Sequence, residues 1–271
     1  MNQYMVFEQL FRVRWLESKA HSFFIGFLYT LVGLVSAYLI FPKSMGLMSI
    51  AFTSVLIIPS LAKLLSLEEN VEIREKKLHF LQLFRDHKDI FKVYLFLFLG
   101  IFLAYALVAL VFPQASIMRV FEPQLQAAGL AGYAMEGGFL RGIILNNLLV
   151  FIACFILSLV YGAGSVLFLS WNASVWGVVF ALFARQAFAL DRTNLVGEFF
   201  DLLLPVLPHM ITEAVAYISA AVVGGVVSVA VLRERLHSKK FYHVLTDAAI
   251  FLCMGLVLVL VAAILETFVF G

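Results

Sequence analysis

The sequence predicts an all-α fold, a polytopic membrane bundle of about seven transmembrane helices, and three observations carry that prediction. Hydrophobic residues make up 63% of the 271-residue chain and charged residues only 13%, against about a quarter charged in soluble domains, and mean hydropathy is +1.01. Seven apolar runs recur at 23–41, 46–62, 93–112, 143–161, 165–184, 209–232 and 245–270, each close to the ~20 residues that cross a hydrocarbon layer of ~30 Å. Fourteen of the nineteen basic residues fall on one side when these runs are threaded alternately. Seven spans leave no room for a separate soluble domain.

The first run follows a segment carrying Arg12, Arg14 and Lys19 together with Glu8 and Glu17. It is longer than a signal-peptide core and ends in Phe41-Pro42-Lys43 without a small-x-small cleavage site, so it reads as a retained helix. After the second run, Ser66-Leu67-Glu68-Glu69 has the capping-box pattern, Glu72 and Lys76 are spaced i, i+4, and Leu67, Val71, Leu78 and Leu81 share a face. An amphipathic surface helix is expected over 66–92, either a docking surface for a partner or anionic lipid, or a solvated connector. The chain then divides into an N-terminal helix pair plus this cytoplasmic helix (1–92) and a membrane core (93–271), within one membrane domain.

The basic residues set the orientation. With the N-terminus inside, Arg12, Arg14, Lys19, Lys63, Arg74, Lys76, Lys77, Arg85, Lys88, Lys92, Arg233, Arg235, Lys239 and Lys240 are cytoplasmic, and only Lys43, Arg119, Arg141, Arg185 and Arg192 lie outside. The positive-inside rule thus places the protein in the cell membrane with a cytoplasmic N-terminus and an external C-terminus.

Between the third and fourth runs, Pro113 to Arg141 contains Pro113, Pro123 and Glu136-Gly137-Gly138, and reads as a short amphipathic helix plus turns capping the outer face, with a lid over a site below as the alternative. A turn at Ser170-Trp171-Asn172 would leave a fifth span of 13 residues, about 20 Å at 1.5 Å per residue and too short. A break at Gly162-Ala163-Gly164 yields two spans of full length; a broken or re-entrant helix near 162–172 is the alternative. Leu204-Pro205-Val206-Leu207-Pro208 reads as the start of the sixth helix, where proline is tolerated. Small residues recur at every fourth position, as Cys154, Ser158 and Gly162, as Ala173, Gly177 and Ala181, and as Ala216, Ala220, Gly224 and Ser228. Membrane helices associate through such ridges, so Gly162, Gly164, Gly177, Ala220 and Gly224 are the expected packing positions.

Five polar residues stand out inside the apolar runs: Asn146, Asn147, Asn172, His209 and Glu213. Polar groups held in lipid without a partner are costly, about 2.5–3.5 kcal/mol for a charge at a helix centre, so these should face protein, water or a ligand. His209 and Glu213 lie one turn apart, with Thr212 beside them and Tyr217 a turn deeper. With Asn147 they are expected in the outer half of the membrane, Asn172 just below, and Asn146 facing away. Three readings stay open: an interhelical hydrogen-bond knot, a site for transport or proton relay, and a metal-dependent enzyme. The last lacks support, because zinc takes at least three protein ligands and the other histidines, His21, His79, His87, His237 and His243, fall in basic segments or at helix starts. No metal, cofactor or catalytic residue is expected. Cys154 and Cys253 read as small core residues, remote from any Cys-x-x-Cys spacing. No phosphate loop, dinucleotide fingerprint or Gly-x-Ser-x-Gly is present.

Several separated motifs carry a resemblance. Arg85-Asp86-His87-Lys88-Asp89-Ile90 leads into Tyr94-Leu95-Phe96-Leu97-Phe98-Leu99-Gly100; then follow Ile144-Leu145-Asn146-Asn147-Leu148, Tyr161-Gly162-Ala163-Gly164, Trp171-Asn172-Ala173-Ser174-Val175-Trp176-Gly177 and Leu207-Pro208-His209-Met210-Ile211-Thr212-Glu213. In this order, over about residues 85–235, they resemble the stage II sporulation protein M family in its archaeal-looking branch. Met210 departs from the glycine that members often carry there. The family's namesake is a membrane component of an engulfment complex that works beside peptidoglycan-degrading partners, and the resemblance therefore implies a non-enzymatic scaffold. The family reaches organisms without such a wall, so the sporulation role itself does not transfer. The second function in view is a transporter or channel for a small polar or ionic solute. Expected partners are membrane lipids and other membrane proteins or further copies of the chain, with no nucleic acid.

Overall fold

The computed structural model describes residues 19–72, 80–128, 139–191, 194–235 and 238–270. The basic positions Arg12 and Arg14, residues 73–79 of the expected surface helix and the Glu136-Gly137-Gly138 run lie outside the described residues. Within them the chain is helical, with no strand: α1 Lys19–Ile40, α2 Met45–Glu72, α3 Phe80–Val111, α4 Gln114–Val120, α5 Glu122–Ala127, α6 Phe139–Tyr161, α7 Val166–Asp191, α8 Leu195–Arg233 and α9 Lys239–Phe270. Seven of these, all but α4 and α5, are long and apolar enough to cross a membrane. The protein is an all-α polytopic bundle.

The two faces of the bundle are defined by the connections. One carries Lys19, the far end of α2, the α6–α7 turn and the α8–α9 link; the other carries the 3-10 turn Pro42–Ser44, α4, α5 and the start of α8. The α6–α7 turn falls where the spacing argument put it. Gly162 adopts φ +63°, a left-handed value that suits glycine, and the 3-10 turn Ala163–Ser165 follows. Helix α7 then runs unbroken through Asn172, so the broken or re-entrant alternative is not realised.

Two boundaries differ from expectation. Ser66 opens no helix, because α2 continues from Met45 through it to Glu72, and residues 80–92 belong to α3, the expected third span. The sixth span starts at Leu195 rather than at the prolines, capped by Asn194, whose Oδ1 accepts the Val196 N–H at 3.1 Å. Pro205 and Pro208 lie inside α8. A buried membrane bundle tolerates interior proline, since neighbouring groups can satisfy the carbonyls that it frees. At 39 residues α8 is about 58 Å long, nearly twice the hydrocarbon thickness.

Close backbone approach holds the bundle together, as lipid gives no hydrophobic drive for helix association. Gly26 on α1 and Gly100 on α3 face each other's helices reciprocally, and an added Cβ would overlap the carbonyls of Leu97 and Phe23. A Cβ on Gly33 of α1 would stand 2.6 Å from Thr53 Oγ1 of α2. On Gly177 of α7 it would stand 2.6 Å from the Phe102 carbonyl of α3, and on Gly224 of α8 2.5 Å from the Phe155 carbonyl of α6. Ala220 is fully buried. Gly162 and Gly164 serve the turn rather than a helix crossing: no neighbour lies near an added Cβ at Gly162, and one at Gly164 would meet Leu157 and Tyr161 of the preceding turn. Helix α8 is the hub, packing on α9, α6, α7, α2 and α3.

The far face is tied down by polar contacts. Arg185 of α7 donates to the carbonyls of Ala109 (3.1 Å), Leu110 (3.3 Å) and Phe112, closing the C-terminal end of α3 where carbonyls lack helical partners. Gln124 of α5 is fully buried and donates through Nε2 to the Gly46 carbonyl at 2.9 Å. Helices α4 and α5 are thereby pinned beside α2, with Ile117, Phe121 and Leu125 buried beneath them. Of the two cysteines, Cys154 is buried and Cys253 exposed on α9, so only the first is a core residue; both are free.

Candidate functional site

A helix with 3.6 residues per turn puts His209 and Glu213 on one face of α8, and that face is turned inward: they are 5% and 5% exposed. Tyr217, one turn deeper and fully buried, donates its hydroxyl to Glu213 Oε1 at 2.5 Å. Helix α9, lying along α8, brings Glu266 to the same place. Donor atoms of His209, Glu213 and Glu266 all fall within 4.8 Å of one another. Asn147 of α6, 3% exposed, stands beside Glu266. Its Oδ1 accepts from Asn146 Nδ2 at 3.3 Å, and its own Nδ2 is buried with no hydrogen bond of good geometry. Three helices thus converge on one polar cluster.

Its depth follows from helix lengths. Glu213 is twenty residues from Arg233, about 30 Å at 1.5 Å per residue, which is one hydrocarbon thickness. The cluster sits toward the face that carries α4 and α5.

Of the five residues singled out from the sequence, Asn147, His209 and Glu213 come together. Asn146 is exposed at the rim and bonds Asn147, so it is not a member of the buried cluster in which the five residues were grouped. Asn172 donates to the Phe168 carbonyl of its own helix at 2.8 Å. Measured from the α6–α7 turn it stands about 12 Å nearer the Lys19 face than Asn147 does, so it lies well below the cluster.

Sequence reasoning missed Glu266. The signal was the one used for the others, a charged residue inside an apolar run, since Glu266 lies within the run 245–270. Asp247, in the same run and buried, was missed too and lies 3.6 Å from His243 near the opposite end of α9, while buried Gln124 lies between runs, where a polar residue gives no signal. The recovery of Glu266 changes the chemistry, because the expectation of no metal rested on the lack of a third donor at membrane depth. That donor exists.

The electrostatics of the cluster are demanding. Two ionised carboxylates 4.8 Å apart would repel by about 3.5 kcal/mol at an effective dielectric of ~20, and burial adds a desolvation cost of several kcal/mol per ion. The Tyr217 hydroxyl offsets part of that cost by hydrogen bonding to Glu213. A cation between the two carboxylates would offset more.

Fold and site together define an integral membrane protein built of seven spans around a buried, three-helix polar cluster. The family model described as stage II sporulation protein M matches residues 93–269, and the chain belongs to that family. The match reaches past the motifs quoted above to include α9 and Glu266. No curated protein and no solved structure matches the chain.

Proposed function

We propose that this chain is a non-enzymatic membrane scaffold, a component of a larger membrane assembly, with its N-terminus cytoplasmic and its C-terminus external. The closure of the polar cluster carries the reading. Asn147, His209 and Glu213 are each at most 5% exposed and come from α6 and α8, and Glu266 joins them from α9, so the cluster joins three helices at one buried point. Lipid and partner proteins meet the outside of the bundle. There, Phe24, Leu28, Val32 and Val35 on α1 and Leu145, Leu149, Ile152 and Ile156 on α6 form exposed apolar stripes at helical spacing.

One observation favours a second reading, transport of a small polar or ionic solute: Glu266 is only partly buried and Asn146 is exposed, so the cluster has an accessible rim. Reconstitution separates the two. In proteoliposomes the scaffold reading predicts ion and solute permeability equal to protein-free vesicles, while the chain extracted from its native membrane in mild detergent co-purifies with a second membrane protein at fixed stoichiometry. Flux through the wild type that Glu213→Gln abolishes would overturn it.

A further inference from the structure

We propose that His209, Glu213 and Glu266 form a binding site for one divalent transition-metal cation of the zinc class, held between α8 and α9. The inference rests on geometry alone and stands whether or not the chain is a scaffold. Its donors are one imidazole and two carboxylates within 4.8 Å of one another. Tetrahedral zinc at about 2.0–2.2 Å from each ligand sets its donors ~3.4 Å apart, so the widest pair closes by roughly an ångström or a little more, within the reach of a glutamate rotamer. Two donors share one face of one helix, one turn apart, and the third comes from the neighbouring helix, so the set exists only when α8 and α9 are packed.

Charge and surroundings point the same way. A divalent cation with two carboxylates and a neutral imidazole sums to zero, which a low-dielectric setting favours over two bare carboxylates side by side. The Tyr217 hydroxyl on Glu213 Oε1 at 2.5 Å is the kind of outer hydrogen bond that orients a carboxylate ligand. Asn147 supplies a second indication: it is 3% exposed, its Nδ2 makes no hydrogen bond of good geometry, and it stands beside Glu266. A buried amide left in that state is positioned to hold Glu266 toward the ion or to contribute its own oxygen. No thiolate joins the set, which among the described residues comprises His209, Glu213 and Glu266. Three protein ligands leave a further coordination position for water or a ligand group.

The test uses the full chain, purified in detergent with any affinity tag removed, stripped with a chelator, incubated with Zn²⁺ and desalted. Metal content by mass spectrometry should be about one equivalent per chain in the wild type and in Asn172→Ala, and should fall at least about tenfold in His209→Gln and Glu266→Gln. Co²⁺ loading of the wild type should produce visible d–d absorption that Zn²⁺ abolishes, a readout that needs no variant to fold. Less than about a tenth of an equivalent in the wild type, equal metal in the His209 and Glu266 variants, or loss of metal from Asn172→Ala would overturn the proposal.

Discussion

Gly224 offers the sharpest check on how the bundle is packed, because a single methyl group measures the separation of α6 and α8. A Cβ there would lie 2.5 Å from the Phe155 carbonyl oxygen, 2.8 Å from Ser158 Cβ and 3.0 Å from the Leu159 nitrogen. Two of these neighbours are backbone and cannot swing aside, so Gly224→Ala must part the helices by at least about half an ångström. A gap of 0.5–1 Å forfeits roughly a quarter to a half of each affected dispersion contact, and overpacking of this kind costs about 1–3 kcal/mol. Against that, alanine gains about 1 kcal/mol of helix propensity over glycine. The net expectation is a loss of roughly 0–2 kcal/mol for Gly224→Ala and distinctly more for Gly224→Leu. Gly197 is the internal control: near the start of α8, an added Cβ meets nothing closer than the Asn194 side chain at 3.3 Å, so Gly197→Ala should be neutral or stabilising. Unfolding in a titration of SDS into mild-detergent micelles, followed by tryptophan fluorescence, reads both. Stabilisation by Gly224→Ala equal to that by Gly197→Ala would refute the α6–α8 contact.

Two further outcomes follow from the same structure. Arg185→Ala removes a cation that donates to three carbonyls at the end of α3 and should cost about 1.5–3 kcal/mol in the SDS titration, the range for hydrogen bonds to charged groups; an effect below about 0.5 kcal/mol would show that water replaces it freely. For orientation, single cysteines introduced at Lys43 and Arg235 in a background lacking Cys154 and Cys253 should label differently with a membrane-impermeant maleimide. Lys43→Cys should react in intact cells and Arg235→Cys only after permeabilisation, and the opposite pattern would invert the assigned topology.

The spans were legible because hydropathy reports directly on lipid exposure, and the turn at Gly162 because two full-length helices could not otherwise be fitted. The start of α8 was misplaced for a physical reason. Pro205 and Pro208 were weighed as they would be in water, where interior proline ends helices, whereas the true signal was Asn194 with Glu198 in the first turn. Similarly Ser66-Leu67-Glu68-Glu69 has the spacing of a cap, yet the helix already running from Met45 extends through it. Small-residue spacing pointed to Gly177 and Gly224, where an added Cβ would stand 2.6 and 2.5 Å from backbone of the neighbouring helix, but Gly26, Gly33 and Gly100 were passed over although Ser22, Gly26 and Thr30, Gly33 and Ala37, and Gly100 and Ala104 repeat the same four-residue spacing. At the site, the pair on one helix was readable from i, i+4 spacing. The third carboxylate belongs to a different helix, and a periodicity within one segment carries no information about its neighbour.

Helices α8 and α9 meet at His209, Glu213 and Glu266, and a double-mutant cycle between Glu213→Gln and Glu266→Gln measures that coupling. Unfolding free energies of the wild type, both single variants and the double variant are compared by SDS titration with chelator present throughout. Side chains in one network couple by about 0.5–3 kcal/mol, whereas distant sites add to within about 0.3–0.5 kcal/mol. The expected coupling exceeds 0.5 kcal/mol in magnitude and is roughly 1–2 kcal/mol. Additive losses, with the double variant equal to the sum of the singles, would contradict it.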